Sequence, residues 1–193
     1  NPNLMEWWAY QIQQSKNGQI NTNLQALVTR LNPFLMNQTM QRMYCQEGNV
    51  LNAKEILDGG HIVFCDFKEA PPETLRLTAG YIANRYHREM KKRPGLGRIH
   101  LLIADEAQMF EVPVFHEILK EDRKFGFGLW LLTQDITELG QRLAKALMVN
   151  AHTFLSLNPG EGASTLVSKI MGDKFSPEYL DSLKPLNGAL YSK

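Results

Sequence analysis

Asp105 and Glu106 end the apolar run Leu101-Leu102-Ile103-Ala104, and Thr133 and Gln134 end a second run, Leu129 to Leu132. A short apolar run that stops at polar residues reads as a buried strand. A carboxylate at such a strand tip suits Mg²⁺ held through water, with the metal bridging nucleotide phosphates. The next carboxylate is then placed to orient or deprotonate an attacking water. An amide at the tip of the neighbouring strand reaches both a γ-phosphate and a water. Asp105 is thus the candidate Mg²⁺ residue, Glu106 the candidate base and Gln134 the candidate phosphate sensor. The same residues also have a plainer reading: two solvated acids at a strand end and an amide bonding its own turn. Thr133 fits either reading, as a nucleotide contact or as a turn residue.

Two further groups bear on that chemistry. Arg123 and Lys124 close a predicted helix just before Gly126. Cations there suit the negative end of a helix dipole. An arginine so placed also suits a finger that reaches an adjacent subunit's nucleotide and offsets charge on the transferring phosphoryl group. Asp66 follows Ile62-Val63-Phe64-Cys65 and reads as a strand terminus, or as a third acid beside Asp105 and Glu106. No G-x-x-x-x-G-K-[ST] occurs in the sequence. Gly160-Glu161-Gly162 lacks the lysine and reads as a loop and helix cap. Without a lysine and a backbone nest, these residues alone are expected to bind ATP weakly or not at all.

The elements that would position these groups follow from pattern. Asn52-Ala53-Lys54-Glu55 predicts a capping box, with Leu51 and Ile56 as a hydrophobic staple and Gly59-Gly60 as the stop. Residues 62–65 predict a strand covered on both faces, with Cys65 in the core. Pro71-Pro72-Glu73 opens a long helix whose buried side is Leu75, Ala79, Ile82, Ala83, Tyr86 and Met90. Strands follow at 99–104 and 129–132, with helices at 113–124 and 140–150. A strand at 153–157, helices at 160–171 and 177–183, and an edge strand at 189–192 complete the series. Strands alternating with helices imply an open, mostly parallel α/β sheet. Ligands of such sheets bind at the carboxyl ends of the strands, where Asp66, Asp105, Glu106, Thr133 and Gln134 fall. Residues 1–50 predict a helical N-terminal segment, with stripes at Leu4, Trp8 and Ile12 and at Leu24, Leu27, Val28 and Leu31. Trp7, Trp8 and Met5 are expected to pack on the sheet domain.

Composition narrows the class. The chain has 193 residues, 44% hydrophobic and 21% charged, with a net charge of +1. That suits a globular protein with a sizeable core and gives no overall basic signature for nucleic acid. Two cysteines and no secretory leader predict reduced thiols and a cytoplasmic chain. The five histidines (61, 87, 100, 116, 152) show no zinc-ligand spacing. No apolar run reaches membrane-span length. The first residue, Asn1, reads as a cut from a longer chain.

The run Gly60–Asp66, the block "LLIADEAQMF" and the block "EDRKFGFGLWLLTQDITEL" together resemble the C-terminal half of the HerA/FtsK-type ATPases. "SLKPLNGALYSK" is similar to the closing segment of that family. The resemblance covers about residues 25–193 and departs from the family at the missing Walker A loop. It implies a RecA-like, mostly parallel sheet flanked by helices over 51–193. It assigns the Walker B acids to Asp105 and Glu106, the sensor to Gln134 and a trans-acting finger to Arg123. It implies ATP and Mg²⁺ as cofactors and a homo-oligomer, a hexameric ring. DNA and conjugation or secretion machinery would be its partners, and the inner face of the membrane a site reached through them. Two other readings are carried beside it: an assembly domain that keeps the fold without hydrolysis, and a metal-dependent hydrolase using Asp66, Asp105 and Glu106 as direct ligands.

Overall fold

The computed structural model describes residues 25–27, 29, 36–44, 48, 51–68, 70–93, 97–160 and 162–193. The chain divides into two compact units, Asn1–Val50 and Leu51–Lys193. In the first, residues 25–27 and 29 are helical, and α1 spans Gln38–Tyr44. Asn37 Oδ1 accepts from Met40 N at 3.1 Å and so caps α1. Leu27 is exposed. The stripe at Leu4, Trp8 and Ile12 and the aromatic pair Trp7 and Trp8 lie outside the described residues.

The second unit opens with α2 (Ala53–Gly59). Asn52 Oδ1 accepts from Glu55 N, and Asn52 Nδ2 donates back to Glu55 Oε2, both at 3.3 Å. Gly60 ends the helix in the left-handed region, at φ 68°, where a side chain is disfavoured. Helix α3 spans Pro72–Lys91, with Pro72 in the first turn, where its missing N–H costs nothing. Its inward side carries Leu75, Ala79, Ala83, Tyr86 and Met90, all buried.

Strand β1 (His100–Ala104), helix α4 (Pro113–Glu121) and strand β2 (Phe127–Leu131) form a β–α–β unit. The strands pair in parallel, from His100 opposite Phe127 to Ala104 opposite Leu131. Side chains alternate between faces of a strand. Leu102, Ala104, Phe127, Leu129 and Leu131 therefore turn to one core with Val114, Phe115 and Ile118 of α4. On the opposite face Ile103 is 56% and Trp130 60% exposed, with Leu101 and Leu132 also exposed. Both runs read from sequence as buried strands; the helices of this unit cover one face only.

Helix α5 (Gln141–Asn150) leads to β3 (Thr153–Ser156), and α6 (Ser164–Ile170) and α7 (Pro177–Asp181) lead to β4 (Ala189–Ser192). Strands β3 and β4 pair antiparallel, and Phe154 stacks on Tyr191 with centroids 6.3 Å apart. That pair closes a second small core of Val167, Met171, Leu180 and Ala189. The cross-strand neighbours Leu155 and Leu190 face outward and are exposed.

The fold is thus mixed α/β, with a two-stranded parallel sheet and a separate two-stranded antiparallel one. One continuous mostly parallel sheet does not form among the described residues. The stretch 62–65 is not a strand: among the described residues it pairs with no neighbour, Phe64 is 93% exposed and Cys65 is exposed. An apolar run signals a need for burial, but a strand also needs a ladder partner, and none lies beside it among the described residues. Asp66 consequently ends no strand; its Oδ1 accepts from Lys68 N at 2.9 Å in a local turn.

Candidate functional site

The tips of β1 and β2 are held together beyond their last paired residues. Leu132 N donates to Ala104 O and Ala107 N to Leu132 O, each at 2.9 Å. The acids that follow β1 and the polar pair that follows β2 therefore emerge side by side. Gln134 Nε2 donates directly to Glu106 Oε1. A second amide, Gln108 Nε2, donates to Glu106 Oε2 at 2.6 Å. Each oxygen of the Glu106 carboxylate thus has its own amide donor.

Glu106 itself sits in the left-handed region, at φ 54° and ψ 47°. For a residue with a β-carbon that backbone costs about 1–2 kcal/mol. The bend lets one short turn present two acids in different directions. Asp105 stays exposed, and its Oδ1 accepts from Glu106 N at 3.1 Å. Glu106 is half-buried and faces the amides. Thr133 is bound up locally, its hydroxyl donating to Asp135 O at 2.9 Å. The Asp135 carboxylate accepts from the hydroxyl and the backbone N–H of Thr137, which holds its pKa below the usual range. Glu111 completes an acidic rim: its Oε2 accepts from Gly140 N at 2.6 Å, at the start of α5.

Arg123 lies at the other end of the sheet. It belongs to the 3₁₀ turn Asp122–Phe125, which leads into the amino end of β2, whereas Glu106 follows the carboxyl end of β1. The paired strands between them span about 13 Å at the usual rise per residue. Arg123 Nη1 bonds His152 Nε2 at 2.5 Å. Lys120, Glu121, Arg123 and Lys124 line an open hollow of about 550 Å³ at this amino edge. The structure therefore joins Glu106 to Gln134, sets Asp105 and Thr133 beside them, and separates Arg123 from all four.

Among the described residues no group of three His, Cys, Asp or Glu side chains is placed to hold a metal. The triad of Asp66, Asp105 and Glu106 expected for a direct-ligand hydrolase is therefore not assembled. A lone exposed Asp105 beside an open rim suits a cation that keeps most of its waters, as Mg²⁺ does.

Sequence reasoning missed two features. Gln108 was legible as a polar residue amid Ala107, Met109 and Phe110, two places after Glu106. The other is a buried pair, His87 and Asp122, with Nδ1 and Oδ2 2.5 Å apart. His87 falls on the apolar stripe of α3, four residues after Ala83, which marks it as inward-facing. Nothing local in the sequence names Asp122 as its partner. His100 is half-buried, stacked on Tyr86 at 5.3 Å, and burial pushes its imidazole pKa down. No protein-family model matches the chain, and no curated protein matches it.

Proposed function

We propose that this chain supplies the metal-and-water half of the nucleotide site in a ring-forming motor ATPase of HerA/FtsK type with a RecA-like core. Such a motor couples ATP hydrolysis to DNA translocation or to conjugative transfer and secretion. The observation that carries the reading is the Glu106–Gln134 hydrogen bond between the tips of adjoining parallel strands. It joins a proton acceptor to an amide that can exchange that carboxylate for a phosphate oxygen.

Mg·ATP would bring the phosphoanhydride bond and the cation that offsets charge on the transferring phosphoryl group. Asp105 would hold the cation through water. Glu106 would take a proton from the attacking water once one of its two amides lets go. Gln134, exposed at the strand tip, is the amide free to move, and Thr133 borders it. Arg123 serves a nucleotide held by another copy, since its own Glu106 lies at the far edge. The phosphate cradle has to come from outside these 193 residues, whose sequence has no glycine-rich loop ending in Lys-Ser or Lys-Thr.

The test is an NMR titration of the chain with ATP and Mg²⁺ at millimolar concentrations. The Asp105, Glu106 and Gln134 resonances are expected to move before all others. Silence at those three, with shifts elsewhere, refutes the assignment. In the assembled motor, Glu106→Gln should retain ATP and stop turnover.

The absence of the phosphate loop favours a second reading, an assembly domain without hydrolysis. It predicts a stable assembly whose ATPase is zero before any substitution. Among the described residues no helix is long and apolar enough to cross a membrane. On the motor reading the chain works in the cytoplasm and reaches the inner face of the membrane through partners.

A further inference from the structure

Gln108 is the amide that stays on Glu106 when Gln134 lets go, and it makes the shorter-range contact in sequence. It lies in the 3₁₀ turn Ala107–Phe110 and donates to Glu106 Oε2 at 2.6 Å. Gln134 reaches Oε1 of the same carboxylate from the tip of β2. We propose that Gln108 is the positioning residue of Glu106, the fixed jaw of a two-amide clamp in which Gln134 is the movable jaw. The proposal rests on the reading of Glu106 as proton acceptor.

Three observations separate the jaws. Gln108 is half-buried and Gln134 is exposed. An exposed amide trades a carboxylate for water or a phosphate oxygen at little cost, whereas a half-buried one has fewer alternatives. The orientation of Gln108 is also locked, because turning its amide over would set a carbonyl oxygen against a carboxylate. Its own carbonyl, Oε1, is buried and has no hydrogen-bond partner among the described residues. Keeping a buried acceptor unsatisfied costs about 1–3 kcal/mol. A short polar side chain in contact with water would avoid that cost, so the residue is held in place for its donor end. Third, Glu106 already occupies a left-handed backbone, and Met109 N donates to its carbonyl at 2.9 Å. Backbone and fixed jaw together leave the carboxylate one direction open when Gln134 departs. Water then approaches Oε1 while Oε2 stays bonded.

The experiment reads side-chain amides in the ¹⁵N-labelled full chain, with exposed Gln141 as the reference. Gln108 NH₂ protons are expected to exchange with water at least tenfold more slowly than those of Gln141, and Gln134 to fall between. Glu106→Ala should bring both clamp amides to the reference rate. Gln108→Ala and Gln108→Glu should each shift the Glu106 side-chain ¹³C resonance, while the backbone amides of β1 and β2 keep their positions. If Gln108→Ala does not fold, the glutamate variant and the wild-type exchange order still decide. Addition of ATP with Mg²⁺ should move Gln134 and leave Gln108. A Gln108 that exchanges as fast as Gln141, or that leaves Glu106 together with Gln134, overturns the positioning role. If the exchange order holds and Mg·ATP shifts other residues but neither of these amides, the clamp stands and the nucleotide reading falls.

Discussion

Asp122 is the residue whose replacement should cost this fold most per atom removed. It is fully buried at the start of the turn that carries Arg123. Its Oδ2 lies 2.5 Å from His87 Nδ1, and its Oδ1 is buried without a partner. The other ring nitrogen of His87 faces Glu117 at 3.3 Å, and Lys91 pairs with Glu121 at 2.9 Å beside them. Asp122→Ala leaves the imidazole without its buried partner, and breaking such a pair costs about 3–5 kcal/mol. For a chain of this size each kcal/mol lowers the melting midpoint by about 2–4 °C, which gives a fall of about 6–20 °C. Asp122→Asn keeps an acceptor for Nδ1–H and drops the buried charge, so it should stay within about 1 kcal/mol of wild type. The two variants also separate by pH. Burial raises the Asp122 carboxyl pKa, against the opposing pull of His87. The folded chain therefore keeps a proton that the unfolded chain releases near pH ~3.9. Stability from that proton is fully present below the unfolded value and is lost as pH rises through the folded one. Thermal unfolding by circular dichroism should show wild type losing ground to Asp122→Asn as pH rises across that window. An Asp122→Ala midpoint within about 2 °C of wild type would refute the reasoning, as would an asparagine variant no better than alanine.

Three further outcomes follow from single contacts. Gly140→Ala would set a β-carbon 2.7 Å from Glu111 Oε2, so the carboxylate at the end of that side chain should swing aside, and the midpoint should fall by no more than the loss of its bond to the Gly140 N–H, about 0.5–1.5 kcal/mol. Glu111→Gln should weaken the start of α5 by about 0.3–1 kcal/mol, read from the same melts. Trp130→Lys should leave the midpoint unchanged within about 0.5 kcal/mol and reduce binding of an apolar dye, since the indole lies on the uncovered face of the parallel sheet. A fall of core-deletion size would mean that this face is buried in solution.

What the sequence disclosed was mostly local. The Asn52 cap, the Gly60 stop and the Pro72 start are each written in the few residues that make them. The inward stripe of α3 is periodic and therefore visible. The adjacency of Glu106 and Gln134 was legible because two apolar runs flanking one helix make a parallel pair, which aligns their tips. Strand partnership was not legible. The run 62–65 has the composition of a covered strand and no ladder, and composition carries no information on where a ladder comes from. Pairing of β3 with β4 rather than with β2 is likewise a long-range choice. The left-handed bend at Glu106 and the His87–Asp122 pair, 35 residues apart, depend on packing that no short window contains.

The opposite placement of Arg123 and Glu106 makes the proposed oligomer testable without knowing its size. If Arg123 served its own nucleotide, it would have to cross about 13 Å of paired strand. If it serves a neighbour, the amino edge of one copy meets the acidic rim of the next, and a head-to-tail contact of that kind closes into a ring or runs on as a filament. The two cases differ when variants are mixed. On the motor reading, Arg123→Ala alone and Glu106→Gln alone should each silence the assembled protein. In a mixture, the Glu106→Gln copy still offers Arg123 and the Arg123→Ala copy still offers Glu106, so some interfaces regain a complete set and activity returns. For random mixing in equal amounts, a quarter of the interfaces would be complete, which sets the expected scale of recovery. Action within one copy predicts no recovery at any ratio, because every subunit then lacks one of the two groups. A mixed assembly that forms at the wild-type size and stays silent, beside an active wild type, would remove Arg123 from the site.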